Sequence, residues 1–305
     1  MNQEIQNQEY INPSIGEIGK IYFDDRNNRI KFFSTQIHHD ADSIDDLVFR
    51  GEQLMIEENA TRLNARFFTT ARYERNVEAR ISLNNGHTGT DLLYIGVNLS
   101  DRSDLENVML AERELIESVL STEPHMRSRL SEGYSIERLT SESLTNQEVD
   151  SLVDLYSEAF NTYTTDLNAS AVREMISHSV VYGVRDSRNN QIVSTVVAEI
   201  TKMTLSEENF SICELSEMAT RREYRGQGLV TLATKELIED IRDDVDLIYA
   251  EARACHTPIN QSFHNMGFHY AGTLLKQCML SGDHEVDESG PYENLNVWYV
   301  LPNEK

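Results

Sequence analysis

The sequence has little that would tie the protein to an oxidising compartment or a membrane. Its three cysteines, Cys213, Cys255 and Cys278, are odd in number and show no C-x-x-C spacing, which favours reduced thiols. No run of about 18 apolar residues occurs, so no membrane span is expected. The first residues, MNQEIQNQEYIN, lack the basic and apolar regions of a signal peptide. We therefore expect a cytoplasmic protein.

Basic residues are also few: 27 lysines and arginines stand against 51 acidic residues, for a net charge of −24. Nucleic acid and anionic membrane both require a basic surface, so neither is expected as a partner. The acidity admits a cationic substrate, although much of it is solvated surface. No metal is expected either, because the adjacent residues His38, His39 and Asp40 cannot all face one ion.

The length and composition are those of a soluble globular protein. Hydrophobic residues make up 39% and charged residues 26% of the 305 positions, enough for one large or two ordinary domains. A break in periodicity at residues 121–133, with Pro124 and Gly133, predicts a boundary. We therefore expect an N-terminal α/β domain at residues 1–128 and a second domain at residues 129–305.

The first domain reads as a mixture of strands and helices after a polar segment of about 17 residues. Its patterns predict two short strands within residues 19–33, a helix over 43–56 with Ser43 as N-cap, strands at 62–68 and 92–98 around an 84–86 turn, and a helix over 101–120.

The second domain shows a longer alternation of elements. Its patterns predict a strand at 135–139, helices at 146–160 and 170–177, a hairpin of 180–185 with 192–203, strands at 210–215 and 247–252, helices at 229–242 and 260–266, and final strands at 268–280 and 295–300 joined by an acidic loop.

The stretch ELSEMATRREYRGQGLV, residues 214–230, is the centre of this domain. A strand leads into a basic turn with Gly226 and Gly228, and a helix follows, so free backbone N–H groups and a helix N-terminus can face an anion. Arg221, Arg222 and Arg225 add positive charge. The turn lacks the G-x-x-x-x-G-K-[ST] pattern of a Walker loop and the third glycine of a Rossmann fingerprint. A glycine turn before an ordinary amphipathic helix is the alternative.

The RGQG turn resembles the pyrophosphate-binding turn of the GNAT superfamily of acyl-CoA-dependent N-acetyltransferases, whose pattern is [QR]-x-x-G-x-[GA]. Started at Arg225, the pattern ends in Val230 rather than Gly or Ala, and started two residues earlier it begins with Glu223. The element order from Ser135 onward and the segment NQSFHNMGF are similar to those of a GNAT domain. The resemblance covers about the last 170 residues and implies an α/β (α+β) fold with a mixed, mostly antiparallel central sheet.

A narrower resemblance is to the β-lysine N-acetyltransferases. It rests on the segments AEI (198–200), ELSEMAT (214–220), EYRGQGL (223–229), EARA (251–254), MGFHYAGTL (266–274) and NVWY (296–299). These enzymes carry a degenerate GNAT-like half before the catalytic one, and NNRIKFF (27–33) is compatible with such a half. The resemblance implies acetyl transfer from acetyl-CoA to the side-chain amine of β-lysine, without a metal, and exposed final strands through which GNAT domains often form homodimers.

The resemblance also implies where acetyl-CoA binds. Amides of the turn and helix start would hold the pyrophosphate, and the end of the preceding strand would pair with the pantetheine arm, with the Met218 amide at the oxyanion. Asn260 matches the family asparagine that contacts the CoA arm. The expected cofactor residues are Met218, Ala219, Thr220, Arg225, Gly226, Gln227, Gly228, Leu229, Val230, Asn260 and Phe263.

Glu217 is the expected catalytic base and Glu214 the alternate, since both lie on the strand that leads to the thioester. Pairing with a neighbouring arginine is the competing interpretation for either glutamate. Phe263 stands where many GNAT enzymes have a tyrosine general acid. His264, Tyr249, Tyr270 or solvent would then protonate the leaving thiolate.

Substrate selection requires a group for the carboxylate and anions for the amines. Arg253 is expected to hold the carboxylate, and Glu251 and Glu199 are expected to meet ammonium groups. Another amine acceptor (a polyamine, lysine or a protein amine) and a non-catalytic acyl-CoA sensor stay open as alternatives.

Overall fold

The computed structural model describes residues 19–24, 27–83, 89–98, 105–125, 129–160, 167–205, 207–279 and 292–302. Within these ranges the strands are β1 (Gly19–Asp24), β2 (Arg29–His38), β3 (Arg62–Thr69), β4 (Val77–Leu83), β5 (Thr90–Asn98), β6 (Tyr134–Leu139), β7 (Val180–Asp186), β8 (Gln191–Leu205), β9 (Glu208–Thr220), β10 (Leu247–Arg253), β11 (His269–Met279) and β12 (Tyr292–Val300). The helices are α1 (Ala41–Glu57), α2 (Leu105–Leu120), α3 (Asn146–Ala159), α4 (Ala169–His178), α5 (Leu229–Ile241) and α6 (Thr257–Asn265).

These strands form one mixed sheet in the order β1-β2-β3-β5-β4-β11-β12-β10-β9-β8-β7-β6. The β2–β3 and β9–β10 pairs are parallel, and the other pairings are antiparallel. The expected α/β fold with a mostly antiparallel mixed sheet is confirmed. None of the helices in the described ranges has the length and apolar character needed to cross a membrane.

The sheet contains the same strand pattern twice. The run β1-β2-β3-β5-β4 has the same order and the same strand directions as β8-β9-β10-β12-β11, with α1 and α5 at the same place in each run. The two runs meet where β4 pairs with β11, at Ala79 and Gly272. Gly272 has φ +146°, and a Cβ there would lie 2.1 Å from the Glu78 carbonyl oxygen, so only glycine permits this approach.

Helices α1 and α5 each cover one face of the sheet with apolar residues that recur every three to four positions. Helix α1 packs Ile44, Leu47 and Val48 onto the first run, and α5 packs Leu229, Ala233 and Leu237 onto the second. The opposite faces of the two runs meet in a third core, where Phe68 and Tyr94 of the first run join Phe210 and Tyr249 of the second. A polar side chain on these facing surfaces therefore lies between the two runs.

Most predicted elements are present, with boundaries shifted by a few residues. Helix α1 is capped by Asp40, whose side chain accepts from the Ser43 backbone N–H, so the prediction of Ser43 as N-cap is wrong. Strand β4 was not predicted. Helix α6 begins at Thr257 with Pro258 in its first turn, so Asn260 does not open it. The predicted 84–86 turn and nearly all of the acidic loop lie outside the described residues.

Candidate active site

A cavity of about 950 Å³ opens where β9 and β10 separate. The two parallel strands pair only from Ile212–Leu247 to Glu214–Tyr249. Beyond this point, β9 forms a bulge in which Glu217 and Met218 oppose the single residue Val196 of β8. Glu217 has φ +41°, a backbone conformation that is rare for a residue with a side chain. The bulge turns the end of β9 away from β10, and the cavity lies between them.

The glycine turn forms one end of this cavity. Gly226 has φ +75°, and Gly228, the N-cap of α5, has φ +72°, so both adopt the left-handed conformation that glycine favours. No atom lies within 4 Å of a Cβ built on Gly226, so it is the backbone angle rather than crowding that favours glycine there. The first turn of α5 lines the cavity, which brings the positive end of a helix dipole to this wall.

Of the three arginines near the turn, only Arg225 lines the cavity. It is exposed, and its Nε donates to the Thr220 carbonyl. Arg221 is buried and donates to Ser151 on α3, so it anchors the turn to that helix. The backbone N–H of Arg222 donates to Glu158. Of the three arginines expected to add charge to the site, only Arg225 therefore lies at the cavity.

Glu217 lines the cavity from the bulge. Its Oε2 atom is buried and has no hydrogen-bond partner among the described residues. Burial raises the pKa of Glu217 to about 7. A carboxylate with this pKa is divided between its charged and neutral forms at neutral pH, which suits a group that takes up and releases a proton. The Tyr156 hydroxyl is also buried, and burial, with the nearby Glu217 carboxylate, raises its pKa, while Thr195 acts in the opposite direction.

Glu214 lies behind the cavity wall rather than on it. It accepts a hydrogen bond from the Tyr249 hydroxyl, and burial, reinforced by the neighbouring Glu251, raises its pKa. Arg66 of β3 donates to Tyr249 Oη at 2.7 Å and to Glu251 Oε1 at 2.5 Å. Glu251 lines the cavity, so this network joins the first run of the sheet to the cavity wall.

The predicted substrate residues have different surroundings. Arg253 lines the cavity, but its Nε and Nη2 atoms both donate to Glu293 at 2.5 Å, so a bound carboxylate would compete with Glu293. Glu199 is exposed and does not line the cavity, but it accepts at 2.6 Å from the hydroxyl of Ser216, which does.

The predicted cofactor residues that line the cavity are Met218, Ala219, Thr220, Arg225, Gly226, Gly228, Leu229, Val230 and Phe263. Gln227 and Asn260 are not among the lining residues. The Gln227 side chain accepts from the Tyr134 hydroxyl. Asn260 is fully buried, donates to the Arg253 and His256 carbonyls, and accepts from Asn296 and Trp298. Its side chain therefore holds α6 against β10 and β12.

The candidate acids other than solvent have partners in the described structure. The His264 Nε2 atom lies 2.8 Å from the Thr122 carbonyl, and the Tyr270 hydroxyl lies 2.6 Å from the Thr273 hydroxyl. Phe263 stacks against Trp298 and is one of the residues that line the cavity. No metal-binding cluster of histidine, cysteine or acidic residues is present in the ranges that the structure describes.

Sequence reasoning missed Arg66, which approaches the site from the other run of the sheet. A signal was present: in RLNARFF, polar Arg62, Asn64 and Arg66 alternate with apolar Leu63, Ala65 and Phe67. Such alternation marks a strand whose second face meets a polar surface. The polar surface that Arg66 meets belongs to the second run of the sheet. It is brought there by the pairing of β4 with β11, which the sequence patterns did not predict.

Comparison with known proteins supports the sequence resemblance. Residues 140–263 match the family model of the acetyltransferase (GNAT) domain. The chain is 24% identical over 190 residues to N-acetyltransferase YodP of Bacillus subtilis, covering 61% of this chain and 62% of that protein. It is 24% identical over 173 residues to beta-lysine N(6)-acetyltransferase of Methanosarcina mazei, covering 56% of this chain and 57% of that protein. The chain thus spans less than two thirds of the length of either relative.

The ribosomal-protein-S5-alanine acetyltransferase of Vibrio fischeri is a solved structure that aligns with 59% of this chain and 98% of its own, at 13% identity and a TM-score of 0.45. The family match covers α3, the glycine turn and the split between β9 and β10, which together form most of the cavity wall. The chain therefore carries an acetyltransferase domain of the GNAT family at residues 140–263.

Proposed function

We propose that the protein is an acetyl-CoA-dependent N-acetyltransferase that acts on the side-chain amine of a small cationic amino acid such as β-lysine. The observation that carries this proposal is the position of Glu217, a buried carboxylate with an unpartnered oxygen within the described structure, at the point where β9 leaves β10. A proton acceptor beside a split pair of parallel strands and a glycine turn fits acyl transfer from a bound thioester to an amine.

The residues around the cavity fit acetyl-CoA. The left-handed glycines and the first turn of α5 offer backbone N–H groups to the pyrophosphate, and exposed Arg225 adds a cation. The free edge of β9 at Met218, Ala219 and Thr220 offers backbone groups to the pantetheine arm, and the Met218 amide serves as the oxyanion donor. Acetyl-CoA supplies an activated acetyl group as a thioester.

Glu217 takes one proton from the acceptor ammonium and passes it to solvent. The amine nitrogen then bonds to the acetyl carbonyl carbon as the C–S bond breaks, and the second nitrogen proton goes to the thiolate, giving an amide and a free thiol. Solvent is the proton carrier we favour for the thiolate, because His264 and Tyr270 have partners of their own. Glu214, which is bound to Tyr249 behind the wall, is a weaker candidate for the base than Glu217.

We further infer that residues 1–128 form a degenerate GNAT-like half and residues 129–305 the catalytic half. The repeated strand order supports this division. In the first half the equivalents of β9 and β10 do not separate, since β2 and β3 pair again at Ile37–Phe68 and His38–Thr69. Helix α1 begins after Asp40 rather than after a glycine turn. One acetyl-CoA per chain in calorimetric titration is expected, and two would contradict this division.

The proposed activity is tested by thiol release from acetyl-CoA with β-lysine, lysine, ornithine, spermidine and a peptide amine. We expect turnover with β-lysine, and a loss of about 100-fold or more in kcat for Glu217→Gln with unchanged acetyl-CoA affinity. Glu174→Gln, a change at an exposed carboxylate of α4, is the matched control and should keep full activity. Acetyl-CoA binding without turnover of any amine would instead favour a non-catalytic sensor.

A further inference from the structure

The first half of the chain presents a basic surface to the second half. Arg29 and Lys31 of β2 and Arg62 and Arg66 of β3 share one face of the sheet, because they alternate with apolar residues that pack under α1. This face meets the second half, where Glu214 and Glu251 lie. Opposite charges therefore face each other across the space between the two halves.

Arg66 is the member of this surface that reaches the cavity wall. Its side chain is 16% exposed, and its ion-pair partner Glu251 is 14% exposed. The guanidinium carbon lies 4.9 Å from the ring centre of Tyr94 and 5.1 Å from that of Tyr249, which fixes its plane. Its hydrogen bonds to Tyr249 and Glu251 occupy two of five N–H donors, and the other three have no partner among the described residues. Arg66 can therefore accept a further anion without giving up its position.

Lys31 provides a second cation on the same face. It is part-buried and makes no hydrogen bond or ion pair within the described structure. Burial lowers its pKa, as does Arg29, while Glu251, Asp24 and Glu214 act in the opposite direction. Lysine is rarely buried without a partner, because its charge loses hydration. An anionic group placed between Lys31 and Arg66 would compensate for that loss.

We propose that Arg66 and Lys31 bind the carboxylate of the acceptor, so that the first half of the chain selects an amino acid over a simple polyamine. This inference rests on the proposed function. A zwitterionic head group adds no net charge: its carboxylate meets the two cations, and its ammonium meets Glu251, which lines the cavity. A polyamine would instead place a second cation beside Lys31 and Arg66 with no anion to accompany it.

The bidentate pairing of Arg253 with Glu293 is consistent with carboxylate binding at Arg66 instead.

The test uses two acceptors that differ only in the carboxylate: lysine and 1,5-diaminopentane. We expect the wild-type protein to prefer lysine in kcat/KM. Arg66→Met, which removes the charge but keeps an apolar stem, should raise KM for lysine and β-lysine by roughly 10- to 100-fold. It should leave KM for acetyl-CoA unchanged and should not lower kcat/KM for 1,5-diaminopentane, whose second cation is repelled by Arg66. Arg66→Lys should restore part of the preference.

Two further variants separate this role from a structural one. Lys31→Met removes a side chain that makes no hydrogen bond or ion pair in the described ranges, and it should also reduce the preference for lysine. Arg72→Met, at a side chain 91% exposed, should leave the preference intact. An equal loss for both acceptors in the Arg66 and Lys31 variants, or a wild-type protein that turns over both acceptors equally well, would overturn the inference. Turnover of no amine at all would instead overturn the proposed function.

Discussion

The Glu217→Gln substitution should stabilise the folded protein at the same time as it removes activity. The pKa of Glu217 rises from 4.5 to about 7 because the carboxyl group is buried. At about 1.4 kcal/mol per pKa unit, this shift corresponds to about 3 kcal/mol of unfolding free energy. The charged form of Glu217 therefore lowers the free energy of unfolding of the protein.

The sign of the effect depends on pH. Below pH 4.5 the carboxyl group is neutral in both the folded and the unfolded protein, and the substitution should change little. As the pH rises from 4.5 to about 7, the unfolded chain ionises first, and the wild-type protein loses stability. Since glutamine cannot ionise, the variant should gain up to about 3 kcal/mol over the wild-type protein above pH 7.

The assay is urea denaturation between pH 5 and pH 8.5. The single tryptophan, Trp298, is fully buried and reports unfolding by its fluorescence. Glu174→Gln is the control, because the carboxylate that it replaces is exposed. A gain for Glu217→Gln that is the same at every pH, or no gain above pH 7, would refute the reasoning that burial of this carboxylate raises its pKa.

Four other predictions follow from the same contacts. The kcat/KM of the wild-type protein should increase with pH up to about 7 as Glu217 loses its proton, and a flat profile would contradict its role as base. Burial raises the pKa of Glu78 to about 8, so Glu78→Gln should gain a few kcal/mol of unfolding free energy above pH 8 and none below pH 4.5, as measured by urea denaturation. Gly272→Ala should lose roughly 2–4 kcal/mol in thermal unfolding, because its Cβ would meet the Glu78 carbonyl; unchanged stability would contradict the close approach of β4 and β11. Asn260→Ala leaves the Asn296 amide and the Trp298 N–H without their acceptor and should cost roughly 2–4 kcal/mol in urea denaturation, whereas normal stability would contradict the buried network.

Local patterns predicted the second half of the fold well. A few neighbouring residues are enough to predict three of its features: the glycine turn, the apolar stripe of α5 and the hairpin strands β7 and β8. Helix termini were less predictable: Asp40 and Ser43 are both good N-cap residues, and only the backbone geometry shows that Asp40 is the cap. Strand β4 was missed although Ala79, Ile81 and Leu83 alternate with polar residues.

The contacts between distant segments could not be predicted from local patterns. Arg66 reaches Glu251 only because β4 pairs with β11 and the faces of the two runs meet. Glu217 lies in the bulge of β9, and burial of its side chain raises its pKa. Glu214, another glutamate on the same strand, has different partners. The local sequence does not show which of the two glutamates has a partner, because tertiary packing determines their surroundings.

The position of the acetyl group on the product tests the central claim most directly. The protein would be incubated with acetyl-CoA and β-lysine, and the product identified by nuclear magnetic resonance and mass spectrometry. Head-group binding at Arg66 with Glu217 as base predicts a single acetyl group on the side-chain amine, far from the carboxylate. Acetylation of the amine next to the carboxylate, or the absence of any acetylated product, would contradict the account.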